Sequence, residues 1–198
     1  MHEGFPGGII SIIIILIAAF KYKLRKEKSE REKPNKESME LLLFEDLRIN
    51  ALRFKKSETN LTDDNPLYGI VVDINNGEEI ITLFTLREGS IEIYFSNGGY
   101  IFLEREDNLI AAMETVDYFK IAESVYKNAI KTDQTKLPSI YSTNFFFLTT
   151  DGRRIIIEDM QHIVENVSII YELFDRANRI IREVLEKIER DSDDEFLF

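Results

Sequence analysis

The chain has 198 residues, 44% hydrophobic and 11% aromatic, which is enough for one domain with a buried core and excludes a mainly disordered protein. It has no cysteine, which excludes disulfide scaffolds, thiolate metal sites and cysteine nucleophiles. Residues 21–36 carry eight basic and three acidic side chains, whereas residues 37–198 carry 17 basic and 32 acidic ones, a net charge of −15. A domain this acidic repels phosphate backbones and anionic lipid headgroups, so we expect no nucleic-acid partner.

The N-terminal segment from Gly4 to Phe20 has no charged residue. A helix of this length spans about 25 Å, at the short end of the range for crossing a bilayer. Positive charge follows the segment instead of preceding it, which disfavours the alternative of a cleaved signal peptide. We therefore predict a membrane anchor over residues 1–24. Its apolar side chains are Ile9, Ile10, Ile12, Ile13, Ile14, Ile15, Leu16, Ile17 and Phe20.

The charges beside this anchor predict its orientation. Residues 25–38 form a basic stalk, and no basic residue precedes the apolar run. Because positive flanks stay on the cytoplasmic side, we expect a single-pass protein with its N-terminus outside and its domain in the cytoplasm. The stalk then faces the anionic leaflet, which attracts it. Residues 39–190 form the soluble domain, and 191–198 form an acidic tail.

The first half of the domain predicts one helix and four strands. Residues 39–55 favour an amphipathic helix, with Leu43, Leu47, Ala51 and Phe54 on one face. After a polar loop, apolar or alternating runs at 67–74, 80–86, 91–95 and 100–103 are separated by turns rich in asparagine and glycine. This pattern indicates a four-strand antiparallel meander.

The second half predicts a helix over 107–131, a hairpin and a long final helix. Asp151-Gly152 is a strong hairpin signal between runs at 144–150 and 153–158. Both runs are apolar on both faces, which indicates central strands. The order of elements predicts an α+β fold, a largely antiparallel sheet of about six strands packed with helices.

A heptad-like series of apolar residues marks the helix predicted from Asp159 to about Arg190. This spacing suits a coiled-coil seam, and therefore a homodimer. Leu173 and Ile180 widen the stripe, which favours packing across the sheet of the same chain instead. Both interpretations stay open. The candidate self-association residues are Ile163, Val167, Ile170, Phe174, Ile181, Val184 and Ile188.

Three short motifs within residues 67–158 resemble those of a family of small bacterial α+β proteins. They are a strand Tyr68-Gly69-x-x-x-Asp73, a turn Tyr94-x-Ser96-x-Gly98-Gly99 and a hairpin that begins at Phe145 and ends at Gly152. The resemblance implies a bacterial α+β protein, and it carries no activity, because the family has none assigned. The membrane anchor departs from the family pattern.

Few residues offer chemistry. His162 has no serine or cysteine partner and no metal-ligand spacing, so we expect it on the surface. Asp73, Asp63 and Asp64 are candidate carboxylates for acid–base work or a hard cation, although turn chemistry explains Asp73 more simply. Tyr94 and a second tyrosine, six residues later beyond the Asn97-Gly98-Gly99 turn, suggest a small binding surface. We predict no catalytic or metal residue, no cofactor and no small-molecule ligand.

These observations favour a membrane-anchored interaction or scaffold module over an enzyme. The expected partners are the membrane and either another protein or a second copy. One alternative is a carboxylate-based, metal-dependent enzyme. Another is an accessory subunit of a membrane complex or of a defence cassette.

Overall fold

The computed structural model describes residues 36–62, 64–165 and 170–194. The anchor and nearly all of the stalk lie outside these ranges, and no helix within them is long and apolar enough to cross a membrane. In chain order the elements are helix α1 (Lys36–Arg53), strands β1 (Leu67–Asn75), β2 (Ile80–Leu86), β3 (Ile91–Phe95) and β4 (Tyr100–Leu103), helix α2 (Leu109–Val125), strands β5 (Ile130–Lys131), β6 (Ser142–Thr149) and β7 (Gly152–Asp159), and helices α3 (Met160–Val164) and α4 (Tyr171–Asp194).

The strands form one antiparallel sheet in the order β4-β3-β2-β1-β6-β7-β5. The α+β class, the meander and the β6–β7 hairpin are confirmed. Glycines with positive φ occupy the turns, including Gly98 at +91° and Gly152 at +117°. Residues with a Cβ rarely adopt this backbone conformation. Turn chemistry and strand alternation are local signals, so the sequence was sufficient to predict them.

The sheet has seven strands instead of about six. The helix predicted over 107–131 ends at Val125, and the short strand β5 follows and pairs with β7. Strand β6 is buried on both faces, as predicted for a central strand. The same prediction for β7 is wrong: only β5 lies beyond it, and Ile157 is more than half exposed.

Helices α2 and α4 cover one face of the sheet and run antiparallel to each other. Asn108 at the start of α2 donates from Nδ2 to the carbonyl of Glu183 in α4, at 3.3 Å, and Arg176 of α4 pairs with Glu114 of α2. Their apolar sides pack on residues such as Ile70 of β1 in the larger of the two hydrophobic clusters. This layer contains most of the core.

The predicted final helix is two helices, and most of its apolar face is buried. The Asp159 carboxylate caps α3, which ends at Val164, and α4 begins at Tyr171. The described part of the stripe packs inside the same chain, as the intramolecular interpretation expects, and self-association stays a prediction. Buried in the core are Ile163, Ile170, Phe174, Ile181 and Val184, with Ile188 partly buried against them. Val167 lies outside the described residues.

Helix α1 covers the opposite face of the sheet. Its predicted face is confirmed at Ala51, which is buried, but the buried side is rotated at the start of the helix. Leu43 was expected inside but is 45% exposed, whereas its neighbour Phe44 is 1% exposed and packs in the smaller hydrophobic cluster. Arg48, one turn later, is also buried at 2% exposure. The rotation turns the side chain of Arg48 toward the sheet, where it has a hydrogen-bond partner of opposite charge.

Candidate functional site

The partner of Arg48 is Asp73, which projects from β1 toward α1. The carboxylate accepts from Arg48 Nε at 2.9 Å on both oxygens and from Nη2 at 2.6 Å on Oδ2. Thr82, opposite Asp73 on β2, donates its hydroxyl to Oδ1 at 2.7 Å. Asp73 is fully buried, and both of its carboxylate oxygens accept hydrogen bonds. Its contact with Arg48 holds α1 on the sheet.

The remaining donors of Arg48 fix the segment between β5 and β6. Nη1 donates to the carbonyl of Thr135 at 2.7 Å, and Nη2 donates to that of Lys136 at 3.2 Å. Asn144 of β6 donates to the same Lys136 carbonyl at 3.1 Å. One guanidinium therefore connects the helix, the sheet and this segment.

A second arginine, Arg153 of β7, extends the same cluster. It donates to the carbonyl of Leu52 at 2.7 Å and to that of Gln134 at 2.9 Å. Burial lowers the pKa of its guanidinium. Arg48 and Arg153 both approach the ring of Phe146, at 5.8 and 5.7 Å from its centre, where the aromatic quadrupole attracts cations. This cluster clamps α1 to the domain.

The other candidate carboxylates and the histidine are not brought together. Asp64 is exposed, and Asp63 lies outside the described residues. His162 is on the surface, 3.3 Å from Glu158 one turn earlier. Within residues 36–62, 64–165 and 170–194, no group of three or more acidic or histidine side chains is arranged to hold a metal ion.

A cleft of about 300 Å³ runs beside α1, between the helix and strands β2 and β3. Aromatic rings and aliphatic side chains make its floor and one wall, and charged or amide groups stand at its rim. The rings of Phe54 and Phe84 meet edge to face, with their centres 5.6 Å apart. The lining residues are Leu47, Asn50, Ala51, Arg53, Phe54, Glu58, Phe84, Glu92 and Tyr94.

Tyr94 is buried in the floor of this cleft and donates its hydroxyl to Glu92. Burial first, and the charge of Glu92 second, raise the pKa of Tyr94 far above its usual range. The hydroxyl therefore stays protonated and acts as a hydrogen-bond donor. An apolar floor with a few oriented polar groups suits binding of an amphipathic segment.

Two residues of the edge strand β4 adjoin the cleft. In the β3–β4 register Tyr100 lies opposite Tyr94 and Phe102 lies opposite Glu92, so these side chains share the face that α1 occupies. Tyr100 is 60% and Phe102 is 52% exposed. We call these two residues the aromatic shelf. The structure thus brings Tyr94 and Tyr100 together, as the sequence suggested.

Sequence reasoning missed the rest of this surface. Glu92 and Phe102 are each two residues away from one of the two tyrosines, so they lie on the same face of the sheet. This alternation could have identified them from the sequence. The α1 wall was not predictable in the same way, because it required knowing where the helix docks.

Comparison of the chain with protein-family models, curated proteins and solved structures gave no match. The resemblance of residues 67–158 to a family of small bacterial proteins therefore stays a prediction.

Proposed function

We propose that this chain is a single-pass membrane-anchored interaction module whose domain binds a segment of a partner protein in the cleft and on the aromatic shelf. The observation that carries the proposal is that the two features adjoin. Tyr100 and Phe102, on the outermost strand of the sheet, lie opposite Tyr94 and Glu92 of the cleft lining, and their exposed rings adjoin the cleft.

The chemistry of this surface suits a protein partner. Exposed aromatic side chains are the groups that contribute most binding energy at protein interfaces, especially beside a pocket that excludes water. Strand β4 is an edge strand, so an extended segment can pair with its backbone while side chains enter the cleft. The affinity depends on how well such anchor side chains are buried and less on the total area covered.

The sequence supports the anchor. An uncharged segment from Gly4 to Phe20 and a basic stalk precede α1, the helix that forms one wall of the cleft. Tethering the domain to a membrane raises its effective concentration toward partners in the same membrane. Moderate affinity at the cleft is then sufficient for function.

Site-specific photo-crosslinking in cells tests the binding surface. A benzoylphenylalanine probe replaces Phe102 on the shelf in one variant and Val116 of α2 in the control, two positions with about half of the side chain exposed. We expect a discrete adduct from position 102 that Leu47→Asp, in the cleft wall, abolishes. Adducts of equal yield from both positions, or none from position 102, would contradict the proposal.

A further inference from the structure

One end of the domain gathers the residues that follow the stalk. The side chain of Glu40, in the first turns of α1, contacts Gly98 in the β3–β4 turn. Asn97 of that turn donates to Glu79 of the β1–β2 turn at 2.9 Å. The backbone N–H of Tyr141 donates to the carbonyl of Asn75 at 2.9 Å. We call this end, made of residues 39–43, 75–79, 96–99 and 139–141, the stalk pole.

The stalk pole has an unusual share of exposed apolar surface. Fourteen large hydrophobic residues of the described chain are exposed, and six of them, apart from the aromatic shelf, are at this end. Leu42 is 61% exposed and Ile140 is 64% exposed. Isolated exposed hydrophobics are normal, but a cluster on one end indicates a contact surface. The six are Met39, Leu41, Leu42, Leu43, Ile140 and Tyr141.

We propose that the stalk pole docks on the interfacial region of the lipid bilayer. This inference rests on the proposed anchor and adds the orientation of the domain. Residues 21–35 join the apolar segment to α1, a span of at most about 50 Å. The tether therefore keeps this end of the domain within about 50 Å of the bilayer surface, a distance at which even weak affinity gives substantial binding.

The composition of the pole suits the depth of lipid headgroups. Leucine side chains partition into the acyl boundary, and tyrosine rings favour the interface, where the ring is apolar and the hydroxyl is hydrated. The pole also carries Glu78, which is exposed, and the domain as a whole is acidic. Zwitterionic headgroups are accordingly the matching surface, while the basic stalk meets the anionic lipids.

Docking in this way would leave the opposite end of the domain in water. Strand β4 runs away from the pole, so α2 begins at the far end, where Asn108 is hydrogen-bonded to α4. Leu109 lies at this far end and is 64% exposed, close to the value for Leu42. The two leucines form a matched pair for a test.

The full-length protein in phosphatidylcholine vesicles provides that test, because the chain contains no tryptophan. Leu42→Trp and Leu109→Trp each introduce a single emitter at an exposed position. In vesicles with a nitroxide on the acyl chain near the headgroup, we expect blue-shifted and quenched emission from position 42. Emission from position 109 should stay water-like and unquenched.

Flotation of the vesicles separates this inference from the proposed function. Protein that floats with vesicles while both tryptophans stay water-like and unquenched would overturn docking and leave the anchor standing. Protein that does not float would overturn the anchor and the docking together. Quenching at position 42 that Leu43→Asp and Ile140→Asp relieve would support the pole as the contact surface.

Discussion

Arg48 and Asp73 form a fully buried ion pair with three hydrogen bonds between α1 and the central part of the sheet. Desolvation of two charges offsets much of their attraction, so a pair of this kind adds little net stability. Its value is in specificity, because only one position of α1 satisfies the guanidinium. The pair therefore fixes the helix that forms the cleft wall.

Arg48→Met is expected to destabilise the domain by about 3–5 kcal/mol, because it leaves the Asp73 charge buried without a partner. Urea unfolding followed by circular dichroism measures this cost. The double variant with Asp73→Asn should recover part of it, since the neutral amide can still accept from Thr82. The control is Arg179→Met, which breaks a solvent-exposed pair with Asp175. Equal costs for the two single variants would refute the buried-pair account.

Gly98→Ala is expected to cost more stability than Gly152→Ala. Both residues have positive φ, so each alanine carries a backbone penalty of roughly 1–2 kcal/mol. At Gly98 the new Cβ would also overlap the Glu40 side chain, whereas at Gly152 it meets nothing within 4 Å. The free energy of unfolding of each variant measures its cost. The Gly98 variant has both the backbone strain and the overlap, whereas the Gly152 variant has the backbone strain alone. A cost at Gly152 equal to or above that at Gly98 would show that α1 does not rest on this turn.

Stability in acid should depend on Asp151. The Thr149 hydroxyl first, then the Lys131 ammonium and the Arg154 guanidinium, lower the pKa of its carboxyl. A lowered folded-state pKa gives stability that is complete above the ordinary value of about 4 and is lost as pH falls through the folded-state value. Asp151→Asn should therefore be less stable than wild type at neutral pH, by a margin that narrows in strong acid. Parallel stability curves from neutral to acid pH would contradict this role.

Tyr118→Phe is expected to leave stability unchanged or to raise it by up to about 1 kcal/mol. The hydroxyl of Tyr118 is buried, and it has no hydrogen-bond partner among the described residues. Burial raises the pKa of this phenol well above its usual range. The control is Tyr68→Phe, which loses a 2.7 Å bond to the carbonyl of Phe54 and should cost about 1 kcal/mol. A larger cost at Tyr118 than at Tyr68, measured by thermal unfolding, would indicate a partner for the Tyr118 hydroxyl.

The parts of the fold that were predictable from the sequence are those that local chemistry determines. The β1–β4 meander follows from alternation and from turns such as Asn97-Gly98-Gly99, and the β6–β7 hairpin follows from Asp151-Gly152. Strand β5 has two residues and no periodicity of its own, so only its pairing with β7 reveals it. Strand β7 is exposed because only the short strand β5 lies beyond it, so its exposure could not be predicted from the sequence either.

The site was predictable only in part. The tyrosines beside the β3–β4 turn were identifiable because strand parity places them on one face. The docked face of α1 was predicted in part, since Ala51 is buried as expected. Arg48 was missed because it has the character of a surface residue until Asp73, 25 residues away, is known to lie beneath it. Hydrophobic periodicity alone cannot place a charged residue inside.

A reporter fused after Phe198 tests whether residues 1–24 anchor the chain with its domain in the cytoplasm, because both the anchor and its orientation determine where the reporter lies. Two fusions are compared, one with a reporter that is active only in the cytoplasm and one with a reporter that is active only outside it, both assayed in the alkaline-washed membrane fraction. We expect activity from the cytoplasmic reporter that stays with the membranes. Deletion of residues 1–24 should release this activity from the membranes. Activity found only outside the cytoplasm, or cytoplasmic activity that never associates with membranes, would contradict it.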